Sequence, residues 1–217
     1  MSEFSVSEAV RFGWNSFKER PLFFIGATIF IFFLNIAANW ASGVIAVGDV
    51  GIFASIVASF LLSTLIGIGM TAFFLKAAAD RMAVALADFW HPSSYWKYLG
   101  ASILQMIVII IGFILLIVPG IIFSLMFIFT PYIVVERSLT PLEAMKESAR
   151  LTRGFKWKLF LFVIVSFVLN IIGALLLLVG LLVTIPLTMI ALAHAYKVLA
   201  SRDLPSVPSV AVPAPTA

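Results

Sequence analysis

The sequence predicts an all-α membrane protein with six transmembrane helices, arranged as three hairpins. Of the 217 residues, 63% are hydrophobic and only 11% are charged, whereas a soluble chain carries about 25% charged residues. The apolar residues are concentrated in three long runs, and the only charge inside them is Asp49. The runs lie between Arg20 and Lys76, Lys97 and Glu136, and Lys158 and Lys197.

Each run is long enough for two spans, because about 20 helical residues cross a ~30 Å hydrocarbon core. Residues 39–51 form the first outer loop, and Pro119-Gly120 and Val179-Gly180 supply the other two turns. The predicted spans are residues 22–41, 52–75, 98–118, 120–135, 159–179 and 181–197. Residues 1–203 thus form one polytopic domain. Residues 204–217 carry four prolines and no charge, which predicts a disordered tail.

The basic residues predict the orientation. All fourteen lysines and arginines fall in the N-terminal segment, in the loops after spans 2 and 4, or in the C-terminal segment. With six spans these four segments share one side of the membrane. The positive-inside rule makes that side cytoplasmic, so both termini are predicted to be cytoplasmic.

Two amphipathic segments predict helices in the headgroup plane, before hairpins 1 and 3. In residues 5–19 the apolar face consists of Val6, Val10, Trp14 and Phe17. Residues 140–153 begin with a capping box, Thr140 and Glu143, and their apolar face consists of Leu142, Met145, Ala149 and Thr152. Residues 81–90 are a weaker third example. These segments are either ordinary connecting helices, the favoured interpretation, or sensors of anionic lipid.

Internal matches predict a duplication. Ile110-Ile111-Gly112 matches Ile171-Ile172-Gly173 at an offset of 61. Glu8-Ala9 and Leu34-Asn35-Ile36 match Glu143-Ala144 and Leu169-Asn170-Ile171 at an offset of 135.

Small residues recur every four positions along span 2. They are Gly51, Ser55, Ser59, Ser63, Gly67 and Thr71. This spacing lets another helix approach closely. Packing within the chain is the favoured interpretation, and a homodimer face is the alternative.

Apart from Lys197, which ends span 6, no acidic or basic residue lies inside a predicted span, which argues against a proton-coupled pump. The deepest polar side chains are Asn35, Asn39, Gln105 and Asn170. Asn35 and Asn170 occupy matching repeat positions. We expect them to bond between helices, and the alternative is a polar cavity between spans 1 and 5. Pro131 and Pro186 are expected to kink spans 4 and 6.

Little in the sequence predicts an enzyme. The absence of cysteine excludes thiol chemistry and cysteine-ligated metals. His194 is predicted to be a hydrogen-bonded helix residue, and Asp88 with His91 lacks the third ligand that a metal site needs. No catalytic triad or phosphate loop is recognisable, so the sequence predicts neither a cofactor nor a nucleic-acid partner.

The segment Pro119-Gly120-Ile121-Ile122, the Glu143-Ala144…Ser148 helix and Gly154…Trp157 resemble a bacterial pattern. The pattern is that of the YciC-like inner-membrane proteins and of a membrane domain fused to some glycerophosphodiester phosphodiesterases. The resemblance covers about residues 5–200 and is specific in residues 119–157. It implies a polytopic protein of the bacterial inner membrane and no catalytic residue, because the phosphodiesterase domain is lacking.

The leading functional hypothesis is a non-enzymatic scaffold or envelope-homeostasis factor that contacts membrane lipids, copies of itself or other membrane proteins. The alternative is a small-molecule transporter or lipid translocator, and an intramembrane enzyme comes third.

Overall fold

The computed structural model describes residues 4–44, 48–90, 94–176 and 179–202. These residues are almost entirely helical, with one short 3₁₀ helix at Leu86–Phe89. The α-helices are α1 (Val6–Glu19), α2 (Pro21–Val44), α3 (Gly48–Ala79), α4 (Tyr95–Leu115), α5 (Ile117–Met126), α6 (Thr130–Arg137), α7 (Pro141–Leu151), α8 (Lys156–Leu175) and α9 (Leu181–Ser201).

Within the described residues six stretches are long and apolar enough to cross a membrane, which confirms the predicted number. They are Pro21–Val44, Gly51–Ala79, Tyr95–Leu115, Ile117–Arg137, Lys156–Leu175 and Leu181–Ser201. The fourth stretch comprises α5 and α6 together. Many large apolar side chains in these helices face outward, such as Phe33, Ile114 and Leu175.

Helix α9 lies at the centre, in contact with α1, α2, α3 and α8. Its inner residues Ile190, Ala191, Ala193 and Tyr196 are fully buried. Alanines let neighbouring helices approach closely, and close packing is what holds helices together where both sides of an interface are apolar.

The turn between α4 and α5 lies at Leu116, whose backbone is extended, and not at Pro119-Gly120 as predicted. Pro119 instead stands in the first turn of α5, where a missing N–H costs no helical hydrogen bond. Gly120 serves the contact between the two helices. A Cβ at Gly112 of α4 would lie 3.0 Å from the Gly120 Cα.

A second close glycine contact joins α8 and α9. A Cβ at Gly180 would lie 2.5 Å from the carbonyl oxygen of Gly173. Gly112 and Gly173 are equivalent in the 61-residue match. The pairs Gly112–Gly120 and Gly173–Gly180 are thus two glycine-to-glycine contacts, each between consecutive apolar helices.

Three other boundaries differ from the prediction. Helix α2 continues to Val44 and α3 begins at Gly48, so most of the predicted loop 39–51 is helical. The weak amphipathic segment 81–90 forms only the 3₁₀ turn. The proline-rich tail, residues 204–217, lies outside the described residues.

The two intrahelical prolines behave differently. Pro131 follows a real interruption, because residues 127–129 form a turn between α5 and α6. Helix α9, in contrast, runs without interruption through Pro186.

Candidate functional site: the charged end of the bundle

The basic segments of the sequence meet at one end of the helices, which we call the charged end. It comprises α1, residues 80–90, α7, the first turns of α4 and α8, and the last turns of α9. The Arg20 Nη1 atom donates to the carbonyl oxygens of Arg81, Met82 and Val84, each at 3.2 Å. Arg81 in turn forms a 2.7 Å ion pair with Glu19. The start of α2 and the segment after α3 are thereby tied together.

Helix α7 covers the interruption between α5 and α6. Pro131 has no N–H with which to bond the Phe127 carbonyl, and the Thr130 N–H bonds to that carbonyl instead, at 3.1 Å. In an unbroken helix the Thr130 N–H would pair with Met126. The Met126 carbonyl therefore needs another donor.

Ser148 of α7 supplies that donor. Its hydroxyl donates to the Met126 carbonyl at 2.8 Å and accepts from the Phe129 N–H at 3.2 Å. The Thr152 hydroxyl lies 3.3 Å from the same carbonyl. Ser148 and Thr152 are fully buried, so one face of α7 satisfies the backbone groups that the interruption leaves open.

Glu143 and Glu147 anchor the outer side of α7. Glu143 Oε2 accepts from the Thr140 hydroxyl at 2.7 Å and from the Thr140 N–H at 3.0 Å, which closes the predicted capping box. These two hydrogen bonds lower the pKa of Glu143, and the bond from the hydroxyl has the larger effect. Glu147 pairs with Arg150 and Arg137, each at 2.7 Å, and chiefly the hydrogen bond from Arg150 lowers its pKa.

The inner face of α7 is not the one that the sequence predicts. Met145 and Thr152 are buried as expected, but Leu142 is 55% exposed. The buried face is turned toward Ala144 and Ser148. The reason is the interruption, because the hydroxyl of Ser148 is needed there and an apolar side chain would leave the open carbonyl unpaired.

Helix α1 packs on α9 through small residues that the predicted apolar face does not include. Ala9, Gly13 and Ser16 are buried, and a Cβ at Gly13 would lie 2.5 Å from the Leu187 carbonyl oxygen. Of the predicted face, Phe17 is buried, Val6 and Val10 are half-buried, and Trp14 is 40% exposed.

The predicted face of α1, with Val6, Val10 and Trp14, borders an open cavity of about 890 Å³ against α8, which we call the α1–α8 groove. Its walls are apolar, with hydroxyl and cationic groups among them. The lining residues are Phe4, Ser5, Val6, Ser7, Val10, Arg11, Trp14, Lys158, Leu161 and Val165.

His194 stacks on Phe12 of α1, with ring centroids 3.8 Å apart. Nearby, the Tyr196 hydroxyl donates a short hydrogen bond to Glu136 of α6. His91, the other candidate of the sequence, lies outside the described residues. Within the described ranges no three His, Cys, Asp or Glu side chains are grouped to hold a metal ion.

Asn35 and Asn170 lie at different helix pairs. Asn35 borders a cavity of about 250 Å³ between α2 and α3, together with Asn39, Ser59 and Ser63. Asn170 of α8 bonds the Ser166 carbonyl at 2.8 Å and lies 3.4 Å from the Thr188 hydroxyl of α9. Among the described residues Asn35 therefore lines a cavity between spans 1 and 2, while Asn170 contacts span 6.

The small-residue stripe of α3 serves two neighbours within the chain. The Ser59 hydroxyl bonds that of Ser42 in α2 at 2.7 Å. Gly67 and Thr71 face α4, where the Thr71 and Tyr98 hydroxyls are 3.3 Å apart. The other members are Gly51 and Ser55, half-buried, and Ser63, exposed.

Together these features define a class: multi-pass helical membrane proteins with six apolar helices. A family model described as a domain of unknown function (DUF7847) matches residues 97–216. That is more than half of the chain, and the chain belongs to this family. The match contains the interruption, α7 and α8.

One curated relative is Uncharacterized protein Rv2560 of Mycobacterium tuberculosis (strain ATCC 25618 / H37Rv). It is 30% identical over 118 residues, which are 54% of this chain and 36% of the relative. The chain thus matches little more than a third of the relative's length. No solved structure matches the chain.

Proposed function

We propose that the protein is a non-enzymatic scaffold of the bacterial inner membrane that acts in envelope homeostasis through helix packing and lipid contact. The observation that carries the proposal is how the amide side chains inside the spans are used. Asn35, Asn39 and Asn170 each donate to the carbonyl four residues earlier in their own helix, at 2.8–2.9 Å. These bonds occupy an amide N–H within its own helix, and the Asn170 amide also lies 3.4 Å from the Thr188 hydroxyl of α9, a contact between helices that favours packing over a solute pathway.

In this proposal the charged end is cytoplasmic, and the six spans form three hairpins. The positions of all fourteen lysines and arginines support this orientation. Helices α1 and α7 lie in the headgroup plane, and the exposed apolar side chains of the spans contact lipid tails. The likeness of residues 119–157 to YciC-like proteins stays a prediction that favours the same membrane. Other copies or membrane proteins are the further partners.

Single-cysteine labelling tests the topology, because the chain has no cysteine of its own. Gly43→Cys lies at the end of α2, where a Cβ meets nothing within 4 Å. Lys146→Cys lies on the exposed side of α7. A membrane-impermeant maleimide should label Gly43→Cys in intact spheroplasts and Lys146→Cys only in inverted vesicles. The reverse pattern contradicts the orientation.

Reconstitution tests the absence of chemistry and transport. Purified protein in phosphatidylethanolamine–phosphatidylglycerol vesicles should neither hydrolyse phosphodiesters nor accelerate lipid flip between leaflets, compared with empty vesicles. Turnover of a lipid or phosphodiester by the purified chain would overturn the scaffold.

The cavity between α2 and α3 supports a second candidate, a small-molecule transporter or lipid translocator. Asn35, Asn39 and Ser59 give its wall both donors and acceptors. If the cavity is a pathway, Asn35→Leu abolishes translocation while the protein still folds. Asn170→Leu is the matched control, because Asn170 lies outside the cavity at α8 and α9.

A further inference from the structure

We propose that the α1–α8 groove holds one anionic phospholipid, with its phosphate among the basic residues and its acyl chains along the apolar walls. The proposal rests on the scaffold proposal, in that it presumes lipid around the six apolar helices. It goes further in naming one site and the charge of its occupant.

The charge of the groove favours an anion. Arg11 projects from the exposed side of α1, and Lys158 stands in the first turn of α8. A third cation, Lys18 Nζ, lies 4.9 Å from the centroid of the Trp14 ring, which forms part of the wall. The hydroxyls of Ser5 and Ser7, 2.9 Å apart, add two donors. Basic pockets between helices at a membrane surface are suited to lipid phosphates.

The apolar walls favour a lipid over a soluble phosphate. Leu161 and Val165 follow Lys158 along α8, about 4.5 and 10.5 Å further into the span at 1.5 Å per residue. Opposite them, Val10 and Trp14 share a face of α1. A cation at the start of α8 with apolar side chains deeper in the span matches a phospholipid, whose phosphate lies at the membrane surface and whose acyl chains lie beneath it. Trp14 takes the interfacial position that tryptophan prefers.

The size of the groove is that of a ligand site. Its volume of about 890 Å³ falls within the ~300–1,000 Å³ that is typical of small-molecule pockets. A phosphate with the upper part of two acyl chains would fill it, and the remaining chain length would lie along the exposed side of Leu161, which is 52% exposed.

Native mass spectrometry of the full chain tests the proposal. The protein is released from nanodiscs that contain phosphatidylcholine and phosphatidylglycerol in equal amounts. We expect one retained phosphatidylglycerol per chain. Arg11→Gln should weaken its retention about fivefold, the effect of one cation near an anionic surface. Lys146→Gln, which removes an exposed cation from α7, should leave retention unchanged. Equal loss in both variants, or equal retention of phosphatidylcholine, overturns the site.

A second variant separates the groove from general surface charge. Leu161→Trp fills the apolar wall and keeps all three cations, and its exposed position tolerates the larger side chain. Loss of phosphatidylglycerol in this variant supports the groove, and full retention overturns it. Displacement of the lipid by millimolar glycerol 3-phosphate also overturns it, since the site would then bind a soluble phosphate.

The two proposals fail in different ways. If wild-type protein retains no phosphatidylglycerol and still shows no turnover or lipid flip, the groove proposal falls and the scaffold stands. If the protein proves to be an enzyme or translocator, the scaffold falls, while a phosphatidylglycerol that is lost in Arg11→Gln still identifies the groove.

Discussion

The hydroxyl of Ser148 donates a 2.8 Å hydrogen bond to the carbonyl oxygen of Met126, the last residue of α5. Through this bond α7, a polar helix of the charged end, satisfies a backbone carbonyl of the apolar helix α5. Lipid supplies no hydrogen-bond donor, so an interrupted helix is tolerated in a span only where protein groups satisfy the freed backbone. Helix α7 therefore does more than connect α6 to α8.

Removal of this hydroxyl should destabilise the protein. Ser148→Ala leaves the buried Phe129 N–H without this partner and the Met126 carbonyl with only the longer 3.3 Å contact to Thr152, and an unsatisfied buried group costs about 1–3 kcal/mol. We expect the free energy of unfolding to fall by that amount, measured by thermal or denaturant unfolding in detergent. Ser201→Ala is the matched control, because the hydroxyl of Ser201 is exposed and donates to the Val198 carbonyl of its own helix. Equal stability of both variants would contradict this role of α7.

The glycine contacts beside the two turns should be equally sensitive to substitution. Gly112→Ala places a methyl group 3.0 Å from the Gly120 Cα and 2.7 Å from the Phe123 ring. Overpacking of this kind costs about 1–3 kcal/mol. Gly26→Ala is the control, because a Cβ there meets nothing within 4 Å, and alanine favours a helix over glycine by up to about 1 kcal/mol. The free energy of unfolding in detergent should therefore fall in Gly112→Ala and rise in Gly26→Ala.

Arg20 should govern the order of residues 80–90. Its guanidinium donates to three carbonyls of that segment, and hydrogen bonds from a charged group contribute about 1.5–3 kcal/mol. Arg20→Gln should speed amide hydrogen exchange in residues 80–90 and leave exchange in α7 unchanged. Lys18→Gln removes a neighbouring cation that does not bond to the segment, and exchange there should match wild type. Unchanged exchange in Arg20→Gln would show that other contacts hold the segment.

The sequence was sufficient to predict the six spans, because uncharged runs bounded by cations reflect the physics of a bilayer directly. It also predicted α1 and α7 nearly to their ends, because the signals are local. For α1 the signal is the amphipathic pattern, and for α7 it is the capping box of Thr140 and Glu143, which lies within four residues. Helix ends set by contacts were less accessible. The turn at Leu116 depends on how closely Gly112 approaches Gly120, and glycine-proline patterns alone favoured Pro119.

Contacts between distant segments account for what the sequence could not predict. Periodicity assigned Leu142 to the inner face of α7, but the inner face is determined by the open carbonyl of Met126, which no local pattern reveals. Similarly, Arg11 and Lys158 belong to segments that each carry modest charge, and only the packing of α1 beside α8 joins them. The matching positions of Asn35 and Asn170 suggested one cavity, whereas each amide is at a different helix pair.

The last prediction concerns pH and the start of α7. Hydrogen bonds from the Thr140 hydroxyl and N–H lower the pKa of Glu143 in the folded protein. A carboxylate whose pKa is lowered on folding stabilises the protein above its unfolded pKa, about 4.3 for glutamate. This stabilisation is lost as the pH falls through the lower folded pKa. Wild type should therefore exceed Glu143→Gln in thermal stability at pH 7, and the difference should shrink at acid pH.

A second variant ties this acid sensitivity to the capping box. Thr140→Ala keeps the carboxylate but removes the hydroxyl that bonds it at 2.7 Å, so the pKa of Glu143 should return toward its ordinary value. The part of the acid loss of stability that Glu143 contributes should then be smaller than in wild type, measured by thermal unfolding between pH 7 and pH 3. An unchanged profile would mean that the hydroxyl does not set this pKa. The same reduction of the acid loss in Ser201→Ala would assign it to a general effect on stability, because Ser201 lies at the end of α9, away from the box.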